Sequence, residues 1–194
     1  SGQRCTATSR LLLHRKIHDR FLARLADRAA RLRLGDGTRP ATEMGPLIHE
    51  EARQKVERYV ELGRREGAEV VVGGGRPSGA TFANGWFYLP TILAAVRPGA
   101  RVEQEEIFGP VLSVLRIDSL EEAIRVNNGV RYGLSSSLYT RNTHAAFRAL
   151  SELDTGITYI NAPTIGAEAH LPFGGVEQTG NGHREGGWEV YQFY

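Results

Sequence analysis

Val111-Leu112-Ser113-Val114-Leu115-Arg116-Ile117 runs straight into Asp118-Ser119-Leu120-Glu121-Glu122-Ala123-Ile124-Arg125-Val126, and this stretch decides the fold class. Its first half is dominated by valine, leucine and isoleucine and reads as a strand over 111–117. Ser119 and Glu122 form a capping box that opens a helix carrying Ala123, Ile124 and Val126. The alternation continues with a predicted strand over 134–140, a helix over 143–153 and a strand over 157–161. Strand–helix–strand repetition at this spacing implies βαβ units, and hence an α/β fold with a mainly parallel, twisted sheet and flanking helices. Ligands in such sheets bind beyond the carboxyl ends of the strands, which makes the loop after Asn161 a candidate site wall.

Working back toward the start, Ile17, Phe21, Leu22, Leu25, Ala29 and Leu32 recur at helical spacing, predicting an amphipathic helix over 17–33 that Leu34-Gly35-Asp36-Gly37 stops. A second helix fits 49–66, with Ala52, Val56, Tyr59, Val60 and Gly63 on one face. Glu69-Val70-Val71-Val72 reads as a short buried strand. Gly73-Gly74-Gly75 after a strand invites a phosphate-loop reading, but no Lys-Ser/Thr follows and Arg76-Pro77-Ser78-Gly79 looks like a turn. At the other end, residues 172–187 are rich in glycine without low complexity, which suggests a loop that packs close to something.

The 194 residues suffice for one full domain, or a domain with an appendage. The hydrophobic share of 41% and charged share of 24% are ordinary for a globular protein. A net charge of +2 is too small to argue for nucleic acid. The basic residues are nearly all arginine, Lys16 and Lys55 being the exceptions, and Asp19 and Asp27 interrupt the early arginine-rich segment, which reads as a solvated helix face. No apolar run approaches a membrane span, and the start does not resemble a signal peptide. A single unpaired cysteine suits a reducing compartment, so the expected location is the cytoplasm. The first residues, without an initiator methionine, read as the middle of something, so a fragment or excised domain is expected.

Cys5 is the chain's one cysteine, within Ser1-Gly2-Gln3-Arg4-Cys5-Thr6-Ala7. It excludes an internal disulfide and any cysteine-clustered metal site. It is either a small buried apolar side chain or a nucleophile. Gly2 lets the backbone approach a bound group, and the small residues from Thr6 to Ser9 leave the thiol open. A helix beginning here would favour the thiolate through its amide dipoles.

Three separated motifs then line up: Gly2-Gln3-x-Cys5-Thr6-Ala7, Glu105-Glu106-Ile107-Phe108-Gly109-Pro110-Val111, and Asn161 followed by Pro172-Phe173-Gly174-Gly175 and Thr179-Gly180-x-Gly182. Gly45-Pro46-Leu47, Gly67-Ala68, Gly73-Gly74, Pro90-Thr91-Ile92 and Tyr132-Gly133-Leu134 fall between them. In this order and spacing the chain resembles the NAD(P)-dependent aldehyde dehydrogenase superfamily, over essentially its whole length. The resemblance implies that residues 1–194 are a single catalytic domain, truncated at both ends, with the cofactor-binding domain absent. It implies that Cys5 is the nucleophile, forming a thiohemiacetal and then a thioester, with its own backbone N–H at the oxyanion. Glu106 matches the glutamate that holds the nicotinamide ribose of NAD or NADP, and Phe108 the aromatic at the nicotinamide end. Asn161 and the loop 162–171, with Phe173 beyond it, match the wall of the aldehyde pocket. Gly166-Ala167-Glu168 resembles members that oxidise semialdehydes with a remote carboxylate, taken by backbone N–H groups of such a loop; a plain connecting loop is the alternative. The expected partners are a small-molecule aldehyde and the nicotinamide cofactor, with no metal, nucleic acid or membrane, and the parent protein would be a homo-oligomer.

Glu177 stands where the family pattern has a basic residue, and Thr179 where it has serine. The family's general-base glutamate and the asparagine completing its oxyanion hole belong to sequence preceding the cysteine motif, so the isolated chain is expected to be inactive. Two other classes remain open. A non-catalytic, partner-binding α/β module would retain the motifs as relics and leave Cys5 unreactive. A cysteine hydrolase pairing Cys5 with a histidine would leave the Glu106 motif unexplained, and no histidine stands in a recognisable local context.

Overall fold

The structure is a computed structural model that describes residues 1–192 and 194. The chain falls into two compact units, Ser1–Arg4 with Thr8–Asp118, and Cys5–Ala7 with Ser119–Tyr194.

The first unit is built on a four-stranded sheet ordered β1-β4-β3-β2, from β1 (Arg10–His14), β2 (Glu69–Val72), β3 (Thr91–Ala94) and β4 (Val111–Ile117). Strands β1 and β3 flank β4 in parallel, and β2 is antiparallel to β3. Strand β4 is the spine: Val114 and Leu115 are essentially fully buried and point to opposite faces, and each buried side chain of this kind contributes about 1.5–3 kcal/mol. Helix α1 (His18–Ala30) covers one face, packing Leu22, Leu25, Ala26 and Ala29 against Leu13, Ile92 and Val114. Helix α2 (Glu50–Arg65) buries Val56, Val60 and Gly63. Gly63 permits its close approach, since a Cβ there would lie 2.9 Å from Leu93 Cδ1. The short helix α3 (Arg101–Gln104) is fastened to β1 by a buried ion pair, Arg10 Nη1 to Glu103 Oε1 at 3.0 Å, while Glu103 also accepts from Gly99 N.

In the second unit, α4 (Leu120–Asn128) is opened by Ser119, whose hydroxyl accepts from Glu122 N at 3.1 Å as the capping box predicts. Strands β5 (Tyr132–Gly133) and β8 (Val176–Glu177) form a small antiparallel pair. Strands β6 (Ser135–Leu138) and β7 (Ile157–Ile160) are parallel and joined through α5 (Thr143–Glu152), a βαβ unit. The glycine-rich end does pack closely: a Cβ on Gly156 would lie 1.8 Å from Gly174 O.

The α/β class with a mainly parallel sheet and flanking helices stands as read, and two local expectations, a shared sheet for β4 and β6 and a buried β2, are corrected. No helix starts at Cys5; a turn leads into β1, because the aliphatic run Leu11–Leu13 pairs with β4. Strands β4 and β6 share no sheet, since β4 already has β1 and β3 as neighbours. Strand β2 is an edge rather than a buried strand, with Val71 exposed, because only β3 pairs with it. Strand β3, hidden behind Pro90, was not anticipated. Gly73 and Gly74 make a left-handed turn whose Gly74 N donates to Thr91 Oγ1 at 2.9 Å, with no helix beyond it. Among the described residues, no helix is long and apolar enough to cross a membrane.

Arg148 of α5 reaches across to Glu121 of α4 and also pairs with Glu152 on its own helix. Its hydrogen bond holds the Glu121 carboxyl down to about 2 from an ordinary 4.5, and Glu152 is lowered by the same guanidinium. Both groups bind protons less readily folded than unfolded, so their stabilisation is complete above pH 4.5 and is lost as pH falls toward 2. Glu121→Gln should therefore flatten the decline of melting temperature across that window, more visibly at low salt; a profile parallel to wild type would refute the assignment.

Candidate active site

The first unit holds Glu106 and Phe108 on the segment between α3 and β4. Here the two glutamates separate in role. Glu105 is committed to the scaffold: it accepts from Tyr59 OH at 2.6 Å and from Arg101 Nε and Nη2 at 2.8 and 3.1 Å. Arg101 is in turn held through its backbone N–H by Glu66, and the Glu105 carboxylate raises its guanidinium pKa further. Glu106 is fixed through its backbone instead, Lys55 Nζ donating to its carbonyl at 2.8 Å. Its carboxylate pairs with none of the described residues and is exposed, an acceptor held out from a pinned main chain. Phe108 is 42% exposed and sits at φ 57°. A left-handed aromatic residue is strained, by about 1–3 kcal/mol, and a ring this exposed is not core.

Gly2 and Gln3 explain the opening motif. Gly2 has φ 69°, and a Cβ there would lie 2.0 Å from Gly109 O and 2.6 Å from its carbonyl carbon. Gln3 Oε1 accepts from Ile48 N at 2.9 Å. The segment before Cys5 is thus laid on both the Gly109-Pro110 turn and the Gly45-Pro46-Leu47 segment.

The second unit holds Cys5, Asn161, Gly166, Ala167 and Phe173. The Cys5 thiol is free and exposed, on a turn. The next residue, Thr6, is 2% exposed; its carbonyl accepts from Thr164 Oγ1 at 2.8 Å, while its own buried Oγ1 has no hydrogen-bond partner among the described residues. Asn161, at φ 57°, uses its whole carboxamide internally: Oδ1 accepts from Thr140 N at 2.8 Å and Nδ2 donates to Thr140 O at 2.9 Å. Asparagine tolerates this conformation well. It ties the ends of β6 and β7 together, so it serves the loop as an anchor. Beyond it, Ser137 Oγ donates to Ala162 O at 2.5 Å and Gly187 N to Ala169 O at 3.2 Å. Gly166 and Ala167 are exposed between these fastenings, and their N–H groups meet no acceptor among the described residues. Phe173 is half-buried and exchanges backbone hydrogen bonds with Glu185 at 2.5 and 2.7 Å. His170 is exposed.

Thr179 keeps the role of a hydroxyl, its Oγ1 accepting from Gly133 N at 3.0 Å, and Glu177 lies in β8 at φ 55°. No cluster of His, Cys, Asp or Glu that could hold a metal occurs among the described residues.

Glu106 and Phe108 therefore share a unit with Gly2 and Lys55, and Cys5 shares one with the loop residues Asn161, Gly166, Ala167 and Phe173. Sequence reasoning missed Lys55, Tyr59, Arg101 and Thr164. Lys55 left a signal, as one of two lysines in a chain that mostly uses arginine; a lone threonine in a loop left none.

The whole chain, residues 1–194, matches the profile described as the aldehyde dehydrogenase family. It is 44% identical over 195 aligned residues to betaine aldehyde dehydrogenase of Bacillus subtilis, covering 98% of this chain and 39% of that protein. It is 36% identical over 194 residues to alpha-ketoglutaric semialdehyde dehydrogenase of the same organism, covering 100% and 40%. The chain thus spans about two fifths of the length of the curated relatives it matches. The crystal structure of Staphylococcus aureus betaine aldehyde dehydrogenase in complex with NAD+ superposes with TM-score 0.96 at 37% identity, covering 100% of this chain and 38% of that one.

Two substitutions test the geometry. Gly2→Ala places a methyl group inside the Gly109 carbonyl and should lower stability by about 2 kcal/mol or more, read by chemical denaturation; a change below about 0.5 kcal/mol would contradict the packing. Asn161→Leu removes both bonds to Thr140 and should cost about 1–3 kcal/mol, with no loss expected if the carboxamide were free.

Proposed function

Because the chain belongs to the aldehyde dehydrogenase family, we propose that it supplies the nucleophile and part of the cofactor site of an NAD(P)-dependent enzyme that oxidises an aldehyde to a carboxylate. The observation that carries this reading is the sole cysteine, exposed on an anchored turn within a family match that spans the whole chain.

Cys5 Sγ adds as thiolate to the aldehyde carbon, forming a C–S bond while the carbonyl electron pair moves onto oxygen. The Cys5 backbone N–H, which donates to none of the described residues, is available to that oxygen. NAD(P)+, when bound, supplies the hydride acceptor. The acyl group left on Cys5 is a thioester; water adds to it, the C–S bond breaks, and carboxylate and thiol are released. Glu106 fits the cofactor because its carboxylate has no partner among the described residues and one carboxylate can accept from both hydroxyls of a ribose diol. The exposed ring of Phe108 suits packing at the nicotinamide end.

The substrate class we favour is a semialdehyde with a remote carboxylate. The unpaired N–H groups of Gly166 and Ala167 suit an anion, and one of the relatives is a semialdehyde dehydrogenase. We place the general base and most of the cofactor fold outside residues 1–194, as the resemblance implies, and read these residues as one catalytic domain.

Three outcomes follow. Residues 1–194 alone should form no NADH from any aldehyde; measurable turnover would overturn this placement. Cys5 should be alkylated by iodoacetamide at neutral pH about tenfold faster than free cysteine; equal rates would favour the non-catalytic module. In a full-length dehydrogenase carrying these residues, Glu106→Gln should raise the KM for the cofactor about tenfold through loss of charge-assisted hydrogen bonds. An unchanged KM would remove Glu106 from the site.

A further inference from the structure

The turn Cys5–Ala7 is held in an unusual way. The Thr6 side chain is buried, yet its hydroxyl finds no partner among the described residues, so the turn is not closed by its own side chain. What holds it is the Thr6 carbonyl, which accepts from a hydroxyl 158 residues further along the chain, Thr164 Oγ1 at 2.8 Å. Thr164 itself is half-buried on a loop fastened on either side, by Ser137 to Ala162 and by Gly187 to Ala169.

We propose that Thr164 is a positioning residue: its hydroxyl locks the peptide that follows Cys5 to the loop 162–171, so that the thiol and the loop's exposed N–H groups keep one fixed relation. The inference rests on Cys5 being the nucleophile and goes beyond it, because it names what orients that nucleophile and makes the substrate loop part of the device. A group bound at Gly166 and Ala167 then acts on the Cys5 turn directly, through one hydrogen bond. Addition of a thiolate to a carbonyl needs the sulfur close to the carbon and aligned with it, so a loosened turn slows the step more than it weakens binding.

The sole cysteine allows a test on the 194-residue chain without further mutation. A nitroxide spin label on Cys5 reports the mobility of the turn by electron paramagnetic resonance. Thr164→Val keeps the volume and removes the hydroxyl, and should raise the fast-moving fraction of the label about twofold or more. Thr164→Ser keeps the hydroxyl and should match wild type. Melting temperatures show that each variant is folded, and Thr164→Ala serves if the valine variant is not. Identical spectra in all folded variants overturn the lock, as does a serine variant as mobile as the valine one. The same samples, unlabelled, give iodoacetamide rates. Slow alkylation of the wild-type chain would remove the nucleophile and its positioning residue together, whereas identical spectra with fast alkylation would remove only the lock. In a full-length dehydrogenase carrying these residues, Thr164→Val should lower kcat more than it raises KM, and Thr164→Ser should restore kcat.

Discussion

The first unit depends on one backbone contact, that of Gly2 with Gly109. The two glycines are far apart in the chain, and neither position has room for a side chain: Gly2 is pressed on the Gly109 carbonyl, and a Cβ on Gly109 would lie 2.3 Å from Val56 Cγ2. Close packing of this kind is unforgiving, because a methyl group inside a main-chain carbonyl can be relieved only by moving the backbone. The contact stacks the segment before Cys5, the turn that carries Glu106 and Phe108, and helix α2 in one register. The parallel pairing of β1 with β4 begins a few residues beyond it, so the same constraint also sets where the central strand starts.

Within each unit, the polar residues divide between those the scaffold uses and those left exposed. Glu105 and Asn161 look like functional groups in the sequence, yet their polar atoms are used up by Tyr59 and Arg101 and by the Thr140 backbone respectively. Glu106, and the N–H groups of Gly166 and Ala167, are exposed and meet no partner among the described residues. Two residues of these segments, Phe108 and Asn161, sit in the left-handed region. At Phe108 this conformation is strained, next to the exposed Glu106 carboxylate, and a group already held in place need not reorganise when a ligand arrives.

Much of this was legible beforehand where the signal is local. The helix over 49–66 emerges as α2, the Ser119 cap forms as read, and β7 lies within the strand predicted at 157–161, because periodicity and capping are properties of neighbouring residues. Cys5 lies on a turn leading into β1, which pairs with β4 in an interaction that leaves no local mark. Strand β2, aliphatic enough to suggest burial, is an edge because the sheet ends there. Of the candidate site, Cys5, Glu106 and Phe108 were legible as a motif, and the exposure of each agrees with its proposed use. Asn161 was legible as important but not as an anchor, since the Thr140 backbone it grips lies across β6 and β7.

The sequence by itself determined the α/β class, the order of most elements, the family and the identity of the groups able to do chemistry. These follow from short-range patterns and from motif chemistry that a linear reading contains. Only the tertiary structure decided which of those groups remain free. Lys55 and Thr164 acquire roles through hydrogen bonds to carbonyls 51 and 158 residues away, and the Glu105 carboxylate is taken up by Tyr59 and Arg101. The physical reason is that most buried or half-buried polar groups are paired, and which partner each finds is settled by packing between segments distant in the chain.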